Sequence, residues 1–266
     1  MPAKLAKGTS ASQLFHRHGC EACVNLPIML SEKPWHLDLV LRFIMALLLS
    51  IWVGGLVIFW LNSKYAPVSL HSEFIPLLVG TLSSHGAALL LIPGLLREHE
   101  MTFPMAFGFA WSRTGRSLML GIMIALLAMP IMLALGHLWA QLLNLIHIHT
   151  HPQTSVQMLQ GSAPLHLRIL IGVIAVLIAP LAEEMVFRGI LYPTLKRYGL
   201  RRWALWGTAI LFGAAHANWM TLLPLTVFGV VLALLYESTN NLLTPIVAHS
   251  FFNLVNFFLI SPVAPT

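Results

Sequence analysis

Two adjacent carboxylates, Glu183 and Glu184, lie inside an otherwise apolar run, Leu181-Ala182-Glu183-Glu184-Met185-Val186-Phe187-Arg188-Gly189. Ionisable groups in such a run are costly to hold away from water, so they read first as chemistry. Successive residues on a helix sit about 100° apart. Glu184 and Arg188 are i, i+4 neighbours and can pair. That leaves Glu183 aimed elsewhere, towards Phe187 and Pro180. A buried carboxylate without a partner suits proton transfer to and from a water. Two more constellations follow. Phe212-Gly213-Ala214-Ala215-His216 puts a histidine late in one apolar run, and His249-Ser250-Phe251-Phe252-Asn253 puts a histidine and an asparagine one turn apart on another.

Each constellation also has a bland reading. A single buried histidine is commonly a hydrogen-bonded core residue, and Glu184–Arg188 reads equally as a structural ion pair. Together they say more. Polar side chains on three separate apolar helices must converge or stay unsatisfied in hydrocarbon.

The elements that must position these groups are membrane spans. The chain of 266 residues is 58% hydrophobic and 9% charged, with mean hydropathy +0.80. A soluble domain carries about a quarter charged residues, so this one takes the bilayer as its solvent. The expected fold is an all-α polytopic bundle of about seven transmembrane helices, six to eight, over roughly 37–61, 75–96, 118–146, 168–196, 203–218, 220–236 and 242–260. The fifth and sixth are short and close together, and read also as a hairpin turning inside the protein. Pro130, Pro180 and Pro193 mark places for a bend. Phe103–Trp111 is apolar but too short to span and is expected to lie along the interface.

The net charge of +6 does not point to nucleic acid, because basic residues in such a chain mark cytoplasmic loops. With the N-terminus in the cytoplasm, thirteen of fifteen Lys and Arg fall inside, Arg188 counted among them, and only Lys64 and Arg168 outside. The C-terminus then faces outward. No signal peptide is expected, since a polar tail precedes the first apolar run near Leu37. Residues 1–36 read as that cytoplasmic tail, 37–160 as spans of unknown role and 161–262 as the helical core carrying the chemistry.

Glu-Glu-x-x-x-Arg, then Phe-x-x-x-His, then His-x-x-x-Asn, in that order on three spans, resembles the CAAX prenyl protease and bacteriocin-processing family, also called CPBP or Abi, of intramembrane proteases. The resemblance covers about residues 168–258. It implies an intramembrane endopeptidase in which Glu183 and His216 activate a water, His249 and Asn253 stabilise the oxyanion, and Glu184 and Arg188 hold the arrangement together. It also implies a peptide or protein substrate, lipidated or with a C-terminal membrane tail, cut near its C-terminus. A bacterial inner membrane is the expected location. The resemblance leaves open whether zinc takes part, with Glu183, His216 and His249 as its ligands. The metal-free version is expected, because Asn253 is a poor zinc ligand and a good oxyanion donor. No Gly-x-Ser-x-Gly elbow and no His-Glu-x-x-His motif is present. From another class, the same Glu, Arg and His groups would serve a proton- or ion-coupled transporter, although no internal repeat supports one.

Some polar groups lie outside these motifs. His85, beside Ser83 and Ser84, reads as a hydrogen-bonded core group, or alternatively as lining the active cavity. His16, His18, Cys20 and Cys23 have ligand types for a metal, but their spacing matches no standard finger, and a tail with reduced thiols is the plainer reading. His147, His149 and His151 read as a solvated loop. The tryptophans, Trp35, Trp60, Trp111 and Trp203 among them, read as interface anchors.

Overall fold

In a computed structural model of the chain, residues 33–64, 71–148, 151–161 and 164–260 are described, and all regular structure among them is helical. His16, His18, Cys20, Cys23 and His149 lie outside the described residues. Among the described residues, six helices are long and apolar enough to cross a membrane: α1 (Leu37–Lys64), α2 (Phe74–Glu98), α4 (Thr114–Leu145), α6 (Leu165–Arg197), α8 (Trp219–Thr239) and α9 (Leu243–Ile260). Between them lie short α3 (Phe103–Phe107) and α5 (Thr154–Gln160) and the 15-residue α7 (Arg201–Ala215). The chain is an all-α membrane protein. Its flanks carry bare apolar side chains such as Phe59, Leu90 and Leu165, as lipid-facing helices do.

The expected span over 203–218 is α7, about 22 Å long, which is short of a hydrocarbon core of about 30 Å. It forms one arm of a hairpin with α8. Ala217 takes a left-handed φ of 47°, and Asn218 caps α8 by accepting from the Thr221 amide at 3.2 Å. The arms cross closely at Gly213, where a Cβ would lie 2.5 Å from Thr226 Oγ1. The long helices alternate in direction. At one end Trp35, ahead of α1, meets His99 after α2, and Arg197 of α6 donates to the Trp35 carbonyl at 3.0 Å. At the other end, Asn218 donates to His151 O at 2.9 Å and Trp139 to Trp219 O at 2.7 Å.

Three segments around the polar groups are π-helical rather than α-helical: Leu82–Gly86 in α2, and Ile174–Ile178 and Met185–Leu191 in α6. Pro180 and Pro193 each follow one of these segments, so the bends expected there are absorbed as widened turns. The consequence at Ala175 is specific. The Ala179 amide bonds back to Ile174 O, and the next residue, Pro180, has no N–H. The Ala175 carbonyl is thereby left for a side chain.

Three expectations change. Phe103–Trp111 does more than lie at a surface, because part of it packs on the bundle. Phe107 is fully buried against Gly189, and its carbonyl accepts from Leu242 N at 2.9 Å. Gly189 is eight residues inside the end of α6, about 12 Å at helical rise, and α3 packs on that turn. Trp35 is no interface anchor either: it is fully buried and its Nε1 donates to Gly189 O at 3.0 Å. Trp60 and Trp203 are exposed, as an anchor should be. Arg188 is not a loop charge, for it is 1% exposed and enclosed by helices. His147 and His151 are exposed.

Candidate active site

The acidic doublet sits on α6 with its two carboxyls in different layers. Glu184, Arg188 and His249 form the buried layer. Arg188 Nη1 donates to Glu184 Oε1 at 2.8 Å, the i, i+4 pair expected from helical spacing. Its Nη2 donates to Gly229 O of α8 at 3.0 Å, and its guanidinium lies 4.3 Å from the Phe212 ring centroid. His249 Nδ1 meets the same Glu184 oxygen at 2.9 Å. Glu184 therefore joins α6 to α9 while Arg188 joins α6 to α8. The ring of Phe212 also packs edge-on against His216 and His249, at centroid distances of 5.1 and 5.6 Å. The motif phenylalanine is thus a wall shared by three polar groups.

The half-buried layer holds Glu183, His85, His216 and Asn253. Glu183 is not unpaired, contrary to the expectation from α6 alone. His85 Nε2 of α2 lies 3.0 Å from Glu183 Oε1. Glu183 Oε2 has no hydrogen-bond partner among the described residues, and lies 3.9 Å from His249 Nε2. That gap is beyond direct hydrogen bonding.

Hydrogen-bond partners fix the ring tautomers. His216, at the end of α7, has Nδ1 2.8 Å from the Phe212 carbonyl. A carbonyl only accepts, so Nδ1 carries hydrogen and Nε2 of the neutral ring is left as an acceptor. His249 is held alike, with Nδ1 on Glu184. Asn253 is one turn beyond His249, as expected, and donates from Nδ2 to the freed Ala175 carbonyl at 2.8 Å. That bond ties α9 to α6 and leaves the second amide hydrogen of Asn253 for another acceptor.

A zinc set of Glu183, His216 and His249 has suitable donor chemistry, since two imidazoles anchored through Nδ1 present Nε2. The spacing does not match. Among the described residues no three His, Cys, Asp or Glu side chains converge as a metal site would require. A furrow of about 410 Å³ runs on the flank between α6 and α9, lined by Arg168, Val176, Leu177, Leu254 and Phe257.

Residues 164–255 match the family described as type II CAAX prenyl endopeptidase, Rce1-like. This third of the chain is similar to an Rce1-like domain. It contains Glu183, Glu184, Arg188, His216, His249 and Asn253, and it bears out the resemblance read from the three motifs. The curated "Uncharacterized protein YpbD" of Bacillus subtilis (strain 168) is similar over 77 residues at 34% identity, covering 27% of this chain and 36% of that one. The chain thus spans about a third of the length of the curated relative it matches. No solved structure matches it. His85 lies outside the Rce1-like domain. Within the sequence its signal was faint: three consecutive polar residues, Ser83-Ser84-His85, inside a span.

Proposed function

We propose that this chain is an intramembrane endopeptidase that hydrolyses a peptide bond near the C-terminus of a membrane-associated protein or peptide. One observation carries the reading. A buried carboxylate oxygen, Glu183 Oε2, lacks a hydrogen-bond partner among the described residues and faces His249 across 3.9 Å, within an Rce1-like domain.

Hydrolysis needs an activated water, a stabilised oxyanion and a proton for the leaving amine. Glu183 takes a proton from water as the oxygen attacks the scissile carbonyl carbon. His216, an acceptor at Nε2, holds the water's other hydrogen. The carbonyl oxygen becomes an oxyanion, and the remaining amide hydrogen of Asn253 donates to it. His249 donates as well when Nε2 also carries hydrogen, and Glu184, against its Nδ1, is the counter-charge for that imidazolium. Glu183 then returns the proton to the nitrogen as the C–N bond breaks. No acyl-enzyme forms, and the proton count closes without a metal. The largely apolar furrow between α6 and α9 suits a lipidated or membrane-tailed substrate. The location is a bacterial inner membrane, with the N-terminus cytoplasmic and the C-terminus outside.

The test is cleavage of a library of C-terminal peptides by the detergent-solubilised chain, with and without a chelator. Glu183→Gln is expected to lose activity by at least about 10²-fold, the usual worth of a general base, while folding normally. Full activity in that variant sinks the reading. Chelation is expected to leave the rate unchanged, and its loss would replace the metal-free mechanism with a metal-assisted one. Proton flux in liposomes without peptide cleavage would favour a transporter instead.

A further inference from the structure

The half of the chain ahead of the Rce1-like domain contributes one side chain to the centre. His85 comes from the π-helical segment Leu82–Gly86 of α2 and meets Glu183 across 98 positions of sequence. Its ring is held on both sides. Ser84 Oγ lies 2.6 Å from the Gly80 carbonyl, which can only accept, so the single hydroxyl hydrogen is committed there. Ser84 Oγ therefore accepts from His85 Nδ1 at 3.0 Å. That fixes the ring plane and turns Nε2 onto Glu183 Oε1, to which it donates when the ring carries both hydrogens, as an imidazolium against the ionised carboxylate. The segment itself is braced by α1, where Gly54 lets the backbone come down on Ser83, a contact that any Cβ would obstruct.

We infer that His85 is a positioning residue for the proposed hydrolysis: by tying down Glu183 Oε1, it selects Oε2 as the oxygen that works on water. The carboxyl has two chemically equal oxygens. The 3.0 Å contact makes them unequal, because one is bound to an imidazole and the other is left facing His249. Without this tether the Glu183 side chain is free to rotate, and the reacting geometry is populated only part of the time. The first three helices thereby gain a role, that of completing a site whose other members all lie on α6, α7 and α9.

The inference rests on the peptidase reading, and two measurements separate their failures. The first is steady-state cleavage of whichever library peptide the wild-type chain cuts. His85→Ala is expected to lower kcat by about 10- to 100-fold, as a small misplacement of a reacting group does, with KM within about twofold. His85→Gln, whose amide nitrogen reaches the same oxygen, is expected to recover most of that loss. Wild-type kcat in His85→Ala overturns the inference and leaves the peptidase reading intact. A wild-type chain that cuts no peptide and yields no Glu183-dependent product overturns both. The second is a double-mutant cycle on the thermal midpoint with Glu183→Gln, which needs no substrate. The His85→Ala shift is expected to shrink in the Glu183→Gln background. Equal shifts in both backgrounds would mean the two side chains are not coupled, and the tether would be refuted.

Discussion

Arg188 is almost fully enclosed and serves three neighbours at once: the Glu184 carboxylate, the Gly229 carbonyl and the face of Phe212. Removing one member of a buried charge pair strands the other, at a cost of about 3–5 kcal/mol. Arg188→Ala is therefore expected to lower the thermal midpoint sharply in detergent. Arg188→Lys should restore only part of it, because a point charge cannot reach Glu184 and Gly229 together. At this scale the sequence was half legible. The Glu184–Arg188 pair follows from helical periodicity, which is local. The partner of Glu183 does not, because His85 arrives through the packing of α2 on α6, and nothing in α6 encodes that. The reading of α6 alone left Glu183 solitary for this reason. The third motif was legible in a different way: the spacing of His249 and Asn253 put both on one face, but only the freed Ala175 carbonyl explains what Asn253 holds.

Among elements, α6 shows how proline shapes the centre. Sequence marks Pro180 and Pro193 as bend points, correctly as to place. The response of the backbone is a pair of widened turns, and these release carbonyls for Asn253 and Trp35. Pro180→Ala would supply the missing N–H at that position and offer Ala175 O a donor within its own helix. Asn253 would then face a competitor. The expected outcome is a several-fold fall in cleavage rate with an unchanged or raised thermal midpoint, measured on the same preparation. A parallel fall in both would show that Pro180 matters only for stability. The helix hairpin of α7 and α8 was also readable, because its two apolar runs are short and close together in the sequence. The packing of α3 on α6 was not, since an isolated apolar stretch looks the same on a free surface as it does packed on Gly189.

For the molecule as a whole, the alternation of long helices gathers Arg97, Arg113, Arg116, Lys196, Arg197, Arg201 and Arg202 at the end shared with Trp35. Arg188 drops out of that tally, since its charge is spent inside the bundle. The rest of the bias still favours that end as cytoplasmic. In a chain with Cys20 and Cys23 replaced by serine, Ser63→Cys is expected to react with a membrane-impermeant maleimide on intact cells. Ser112→Cys should react only after permeabilisation. The opposite pattern would invert the orientation. Composition alone was enough to establish a membrane bundle, because so few charges cannot cover a water-facing surface.

The indole of Trp35 reaches past the first span to grip Gly189, on the helix that bears the acidic doublet. The stretch just ahead of the first hydrophobic segment is thus a rivet in the scaffold. Trimming the chain back to Leu37 would pull out that rivet, and purification handles are better attached well upstream of Lys33.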